Sequence, residues 1–286
     1  MDWELNIPKI LHVYWGGGPL SYLRFLTVET FRKYNPEWEV RFYYPTHPTT
    51  HMSWHTPEQK HSVPTTDFFP KLMELPITKI PVNFNDYGYP NDIPEVHKSD
   101  ILRIMLLSTV GGLWSDMDIF YFKPMSWFYL NHKKHKDIET FYCNREYGHS
   151  IGFLMATEGN KFFEKLTVAL NDARQFSPLN YQSFGATMYN RYFRAEGNVE
   201  ALTPAINISM DVVYAHRAGD TAELLSTDKP KFTRESLGIH WYAGDPEWKD
   251  FLIKTDGGSK NVPNCIIGRL INKEKGMMKY ITDINL

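Results

Sequence analysis

Gly111-Gly-Leu-Trp-Ser-Asp-Met-Asp-Ile-Phe-Tyr-Phe122 decides how the rest of the chain is read. The glycine pair is a helix stop, and the β-branched and aromatic residues after it predict a buried strand leaving that helix. Side chains alternate along a strand, so Asp116 and Asp118 are expected on one face, about 7 Å apart along the backbone. Two carboxylates on a buried strand need a partner. The run contains no Lys or Arg to supply one, which leaves a divalent cation shared by both acids, or a cation for one and a polar substrate for the other. Asp-x-Asp triplets also occur by chance in solvated turns and helix starts; the apolar flanks here favour the binding role.

Upstream, Asp92-Ile-Pro-Glu95 predicts a helix start with Pro94 in the first turn, and the helix runs over 96–110 to the stop at Gly111-Gly112. Apolar residues cover most of its circumference, so it is expected to be buried nearly all round. Asp100 and Arg103 lie three apart and share one face. They either simply pair with each other or take part in binding, and residue types alone leave the two readings level.

Nearer the N-terminus, residues 7–15 read as a first strand ending at Gly16-Gly17-Gly18, residues 20–34 as a helix, and residues 38–44 as a second strand beyond the Asn35-Pro36 turn. This β-α-β opening argues for a parallel sheet with a ligand crevice at the carboxyl ends of its strands, where Trp15 stands. Residues 45–90, rich in Pro, Thr and His, read as an irregular insert over the surface with room for one short helix. His47, His51 and His55 are spaced four apart, as metal ligands on a helix would be, but Pro48 and Pro57 favour a solvated loop.

Beyond Lys123-Pro124, strands are expected near 140–143, 151–156, 211–215 and 238–244, and helices over 160–175 and 181–192. No repeat or linker divides the chain, so residues 1–286 read as a single α/β domain.

A chain of 286 residues that is 42% hydrophobic can bury a full core. The longest apolar run is too short to span a bilayer, and the N-terminus has no basic flank followed by an apolar block, so neither membrane anchor nor signal peptide is expected. Cys143 and Cys265 fall in no metal-type or redox-type spacing and suit a reducing compartment. A net charge of -2 with scattered basic residues argues against nucleic acid and for a small-molecule substrate. The expected location is the cytoplasm, in a bacterial or viral setting.

Three blocks in order, residues 7–15, Ser99-Asp-Ile-Leu-Arg103 and residues 111–118, resemble the glycosyltransferases with a DXD-containing sugar-binding region. This is the glycosyltransferase family 32 type, which takes in α-1,6-mannosyltransferases, capsular polysaccharide enzymes and, distantly, the glucosylating clostridial toxins. The resemblance covers roughly the first 125 residues, with gaps at the insert, and again the neighbourhood of 240–248. It implies a GT-A-like, mostly parallel mixed sheet flanked by helices. It further implies Mn²⁺ or Mg²⁺, retention of anomeric configuration, and a nucleotide-sugar donor, UDP-sugar ahead of GDP-mannose.

Residue by residue, Trp15 matches the tryptophan that stacks on the base, and Asp100 and Arg103 the pair holding donor sugar and ribose hydroxyls. Asp116 is similar to the acid near ribose and metal, and Asp118 to the direct metal ligand. His240 resembles the C-terminal metal-binding histidine, with Gly244, Trp248 and Lys249 near the diphosphate. The implied acceptor is a glycan or glycolipid. Relatives often carry Tyr where Trp114-Ser115 precedes the acids, and Gly-Pro where this chain has Phe184-Gly185-Ala186.

The chemistry agrees with that assignment. A departing diphosphate gathers negative charge that a divalent cation stabilises in a partly dry crevice, and carboxylates with one imidazole suit Mn²⁺. Retention needs either a second carboxylate as nucleophile or same-face attack with the departing phosphate taking the proton; the sequence offers no clear nucleophile and favours the latter. Asn144 and Gln182 are candidate polar groups near the sugar, though ordinary core or loop hydrogen bonds would account for them equally. A non-catalytic carbohydrate-binding relative and a nucleotide-sugar phosphoesterase stay open as other functions.

Overall fold

The computed structural model describes residues 5–16, 18–49, 65–145, 148–173, 180–195, 197–217, 219–273, 277–279 and 281. Chain order runs β1 (Ile10–Tyr14), α1 (Tyr22–Tyr34), β2 (Glu39–Pro45), α2 (Phe69–Glu74), β3 (Thr78–Val82), α3 (Glu95–Thr109), β4 (Gly112–Ser115), β5 (Ile119–Tyr121) and α4 (Met125–Asn131). It continues with β6 (Thr140–Arg145), β7 (Gly148–Ala156), α5 (Lys161–Ala173), α6 (Ala186–Phe193), β8 (Ala205–Asn207), α7 (Thr221–Leu224), β9 (Gly238–His240), α8 (Lys249–Lys254) and α9 (Ile266–Ile271).

Seven strands form a mixed sheet in the order β3-β2-β1-β4-β7-β6-β8, and β5 pairs with β9 in a separate ribbon. β1 to β4 are mutually parallel, β7 runs antiparallel to both its neighbours, and β8 is parallel to β6. The α/β class with a mostly parallel sheet and flanking helices is therefore the one expected. The chain winds outward from β1 to β3 and then returns to the other side of β1 as β4. That reversal opens a crevice at the carboxyl ends of β1 and β4, the position where such sheets bind ligands.

Alternation along the strands builds two cores. Leu113 of β4 packs on one face with Leu23 and Phe31 of α1 and Ile239 of β9. Trp114, the next residue, faces the opposite side with Ile101 and Leu107 of α3 and Phe162 of α5. At the end of α3, Val110 and Gly111 N–H both donate to the Leu106 carbonyl, and Gly111 (φ 69°) and Gly112 (φ 101°) then swing the chain into β4. A Cβ on Gly111 would lie 2.5 Å from the backbone nitrogen of Glu158, so sterics and dihedral both require glycine.

Several local expectations are corrected. The run 111–122 is two strands in two sheets: it breaks at the two acids, because β5 leaves the main sheet to pair with β9, Ile119 opposite His240. Within the insert, Thr78–Val82 forms edge strand β3 in register with Arg41–Pro45. Its Lys79 and Pro81 obscure the strand pattern, and an edge is where a sheet tolerates proline. Residues 210–212 form a 3₁₀ turn in place of a strand, since the Ser209 hydroxyl accepts the Asp211 N–H (3.1 Å). Of the helix expected over 181–192, the first part is turns and α6 begins at Ala186. Gly17, His51 and His55, and the end of the helix expected to reach 175, lie outside the described residues.

Among the described residues, no helix is long and apolar enough to cross a membrane. Gly111→Ala is expected to destabilise the protein by about 2 kcal/mol or more, from the left-handed dihedral plus the backbone clash. Urea unfolding of the two proteins measures it; equal midpoints would show that the turn relaxes without cost.

Candidate active site

A cleft of about 650 Å³ occupies the crevice at the carboxyl ends of β1 and β4. Trp15 follows β1 at one wall, Asp100 and Arg103 reach in from α3, and Asp116 and Asp118 sit on the turn between β4 and β5. His240, the last residue of β9, and Gly244 in the following turn line the same cleft. Trp248 and Lys249 do not. The Trp248 indole is fully buried edge-on against Trp241 (5.1 Å) and Phe251 (5.5 Å), and Lys249 is exposed.

The buried Arg103 guanidinium organises one half of the site. Its Nη1 donates to Asp100 Oδ1 (2.9 Å) and its Nη2 to Asp116 Oδ1 (2.8 Å), while its central carbon Cζ lies over the Trp114 ring, 5.1 Å from the centroid. Trp114 Nε1 also donates to Asp116 Oδ1 (2.8 Å). Asp100 and Arg103 thus pair along the helix, and the same arginine also reaches across to the acid turn, a contact that residue spacing did not indicate.

These contacts split the two carboxyls. Burial pushes Asp100 up to about 7, against the pull of Arg103. Burial also penalises the charged form of Asp116, but the Arg103 charge, the Trp114 N–H and His240 outweigh it and hold that carboxyl below its ordinary range.

The other half comes from the β5–β9 ribbon. Asp118 Oδ1 lies 3.2 Å from His240 Nε2, its Oδ2 accepts the Ala243 N–H (3.0 Å), and its carbonyl accepts the Trp241 N–H (2.9 Å). Tyr242 N–H donates to His240 Nδ1 (3.3 Å), which turns Nε2 toward the acids. Tyr242 achieves this with φ of 52°, a strained value for a residue with a side chain.

One ligand atom from each of Asp116, Asp118 and His240 lies within 4.8 Å of the others. Carboxylate oxygens and one imidazole are a donor set for Mn²⁺ or Mg²⁺. Gly152 on β7 keeps the space clear: a Cβ there would stand 2.9 Å from Asp116 Oδ2 and 3.2 Å from His240 Nε2. The residues present therefore fit a divalent cation.

Other cleft residues escaped the sequence reading. A lone glycine inside a strand, as at Gly152, signals close approach of another group and could have been flagged. Glu95 lies buried with Lys98 (2.8 Å) and accepts from the Tyr14 hydroxyl (2.5 Å), fixing the floor near Trp15. The Tyr214 hydroxyl reaches the cleft wall buried and, among the described residues, without a hydrogen-bond partner. Nothing in the sequence marks Arg24, on the first turns of α1, as a cleft residue. Gln182 lines the cleft, with its Oε1 accepting the Ala186 N–H (3.1 Å) at the start of α6; Asn144 lies elsewhere, donating to the Arg194 carbonyl (3.2 Å).

A family model for capsular polysaccharide synthesis proteins matches residues 79–175, the stretch that carries Asp100, Arg103, Asp116 and Asp118 but neither Trp15 nor His240. Comparison with curated proteins gives no significant match. Among solved structures, the chain is similar to the glycosyltransferase PaToxG, at 14% identity over 68% of this chain and 73% of that one, with a TM-score of 0.48. It is similar to the glycosyltransferase GlyE of Streptococcus pneumoniae TIGR4, at 11% identity over 86% of this chain and 57% of that one, TM-score 0.47. A third is the catalytic domain of alpha-toxin from Clostridium novyi, at 13% identity over 72% and 65% of the two chains, TM-score 0.41.

The raised Asp100 carboxyl makes a pH prediction for the metal-free protein. With a folded value of about 7, above the ordinary 3.8, the native state binds more protons than the unfolded chain between those limits. Its contribution is therefore complete below about pH 4 and is lost as pH rises through 7, a change on the order of a few kcal/mol. Asp100→Asn should flatten this part of the stability profile, read as urea midpoints at pH 5 and pH 8; an unchanged slope would assign the dependence to other groups.

Proposed function

We propose that the chain is a metal-dependent retaining glycosyltransferase of the GT-A type, moving a hexose from a nucleotide-sugar donor, UDP-sugar ahead of GDP-mannose, to a glycan or glycolipid acceptor. One observation carries this reading: three side-chain atoms of the kind that ligate a hard cation lie within 4.8 Å of one another at the switch point of the mixed sheet, beside a buried arginine that fixes one of the acids. The three sequence blocks that resemble family 32 meet at this cleft, and the similarity of 79–175 to capsular polysaccharide synthesis proteins supports the same substrate class.

In this reading Trp15 offers its indole to the base, and Asp100 with Arg103 orients ribose and sugar hydroxyls. Asp116, Asp118 and His240 hold Mn²⁺ or Mg²⁺, whose charge offsets that of the departing diphosphate. Gly244 exposes backbone on the diphosphate side, and Trp248 supports that turn from behind through Trp241.

Cleft carboxylates other than the cation ligands are committed elsewhere. Glu95 is held by Lys98 and Tyr14, Asp100 by Arg103, and Asp245 by the Thr221 hydroxyl (2.7 Å) and the Glu247 N–H (3.0 Å). That distribution favours same-face attack over a covalent intermediate. The glycosidic C–O bond to phosphate breaks, the acceptor oxygen bonds to the same carbon, and the acceptor's proton passes to the departing phosphate oxygen. The protein's part is then positioning, exclusion of water and charge stabilisation.

Calorimetry with millimolar Mn²⁺ is expected to detect UDP binding; no binding of any nucleoside diphosphate would end the proposal. A panel of nucleotide sugars with Mn²⁺ identifies the donor by slow hydrolysis, and transfer to an added saccharide should outpace release to water, the reverse marking a hydrolase. Asp118→Asn should lower metal-dependent turnover by about a hundred-fold or more with the melting temperature nearly unchanged. A large loss of stability would instead assign Asp118 a structural role.

A further inference from the structure

The surface around α4 reverses the sign of the chain. Residues 123–137 and 232–235 carry five cations, Lys123, Lys133, Lys134, Lys136 and Arg234, against two carboxylates, Asp137 and Glu235, in a protein whose net charge is -2. Lys133, Lys134 and Lys136 are exposed on the run of turns that follows Asn131, and Arg234 is exposed as well. The two segments lie together: Trp127 Nε1 donates to the Arg234 carbonyl (2.7 Å), and the Glu235 charge is felt at His132.

Trp127 stands at the centre of this face. Lys123 Nζ lies 5.4 Å from its ring centroid, and Arg234 Cζ lies 5.9 Å from it. Two cations beside one indole repel each other unless an anion joins them. Among the described residues the Lys123 ammonium makes one hydrogen bond, a long one to the Arg234 carbonyl (3.4 Å), although it has three protons to donate and is only 4% exposed. Burial accordingly pulls it down to about 8. Three residues along α4 from Trp127, and so on the same face, Leu130 is 42% exposed. An indole with an exposed apolar neighbour, framed by lysines and an arginine, is the composition that seats at the boundary between lipid headgroups and acyl chains.

We propose that this face, Trp127 and Leu130 framed by Lys123, Lys133, Lys134 and Arg234, docks on a bilayer of anionic phospholipid. The cations are drawn to the negative headgroups, with Lys123 and Arg234 meeting a phosphate beside Trp127, while Trp127 and Leu130 enter the boundary. A soluble anion would use the charges and leave Leu130 in water; a bilayer uses both. The face also leaves the cleft open. In the β5–β9 ribbon Ile119, next to Asp118, pairs with His240, and Tyr121 pairs with Gly238 at the other end, beyond which Lys123 lies. The proposal goes beyond the glycosyltransferase reading and does not depend on it; the two meet in that a docked chain is held where lipid-linked saccharides are displayed.

Co-sedimentation with vesicles tests it, using phosphatidylcholine alone and equal parts phosphatidylcholine and phosphatidylglycerol. The wild type should bind the anionic vesicles, bind the neutral ones weakly, and lose binding as salt is raised. A Lys133→Gln/Lys134→Gln double variant and Arg234→Gln change exposed side chains and should keep the melting temperature, with affinity falling about five-fold for each cation removed. Lys123→Met removes a buried charge, so it should weaken binding while the melting temperature holds or rises. Leu130→Gln should weaken binding without any change of charge. A wild type with no preference for the anionic vesicles overturns the proposal, as does wild-type affinity in the lysine double variant. Equal binding of soluble polyphosphate, with Leu130→Gln without effect, assigns the face to a soluble anion and overturns it too.

Discussion

The site depends on one buried guanidinium that bridges two elements. Arg103 binds Asp100 on its own helix and Asp116 on the turn after β4, so the helix and the strand that follows it are locked in one relative position. A buried charge of this kind is tolerated only when its partners are well placed, and removing one partner leaves the others uncompensated. The arrangement also divides labour between two carboxyls. Asp100, fully enclosed, is pushed toward its neutral form, while Asp116 keeps a second oxygen toward the cleft and stays ionised.

The turn that carries the acids explains why both can face one ligand. A continuous strand would have separated them by a full two-residue step, about 7 Å. The break between β4 and β5 folds that spacing back on itself, and the β5–β9 ribbon then adds His240 from a distant part of the sequence. Strain at Tyr242 and the missing side chain at Gly152 are local costs of bringing three ligand atoms together. Neither residue needs to touch a substrate to matter.

Much of this was legible in the sequence, for reasons that differ by element. The glycine stop at 111–112, the buried helix before it and the β-α-β opening follow from periodicity and turn chemistry, which are local. The convergence of Asp116 and Asp118 was foreseen, but through the wrong geometry, because nothing local marks where a strand will desert one sheet for another. Edge strand β3 was hidden by Lys79 and Pro81, and the 3₁₀ turn at 210–212 by a run of residues that also suits a strand. Arg24 and Tyr214 carried no signal at all: their place in the cleft is decided by tertiary packing alone.

The pairing of Ile119 with His240 has a consequence for how the molecule comes into being. Asp118 leaves the ribosome more than a hundred residues before the imidazole that faces it. Until β9 docks, the nascent chain holds an acidic turn whose flanking hydrogen bonds from Trp241 and Ala243 do not yet exist. The proposed cation site is therefore assembled late and all at once, only when β9 has docked.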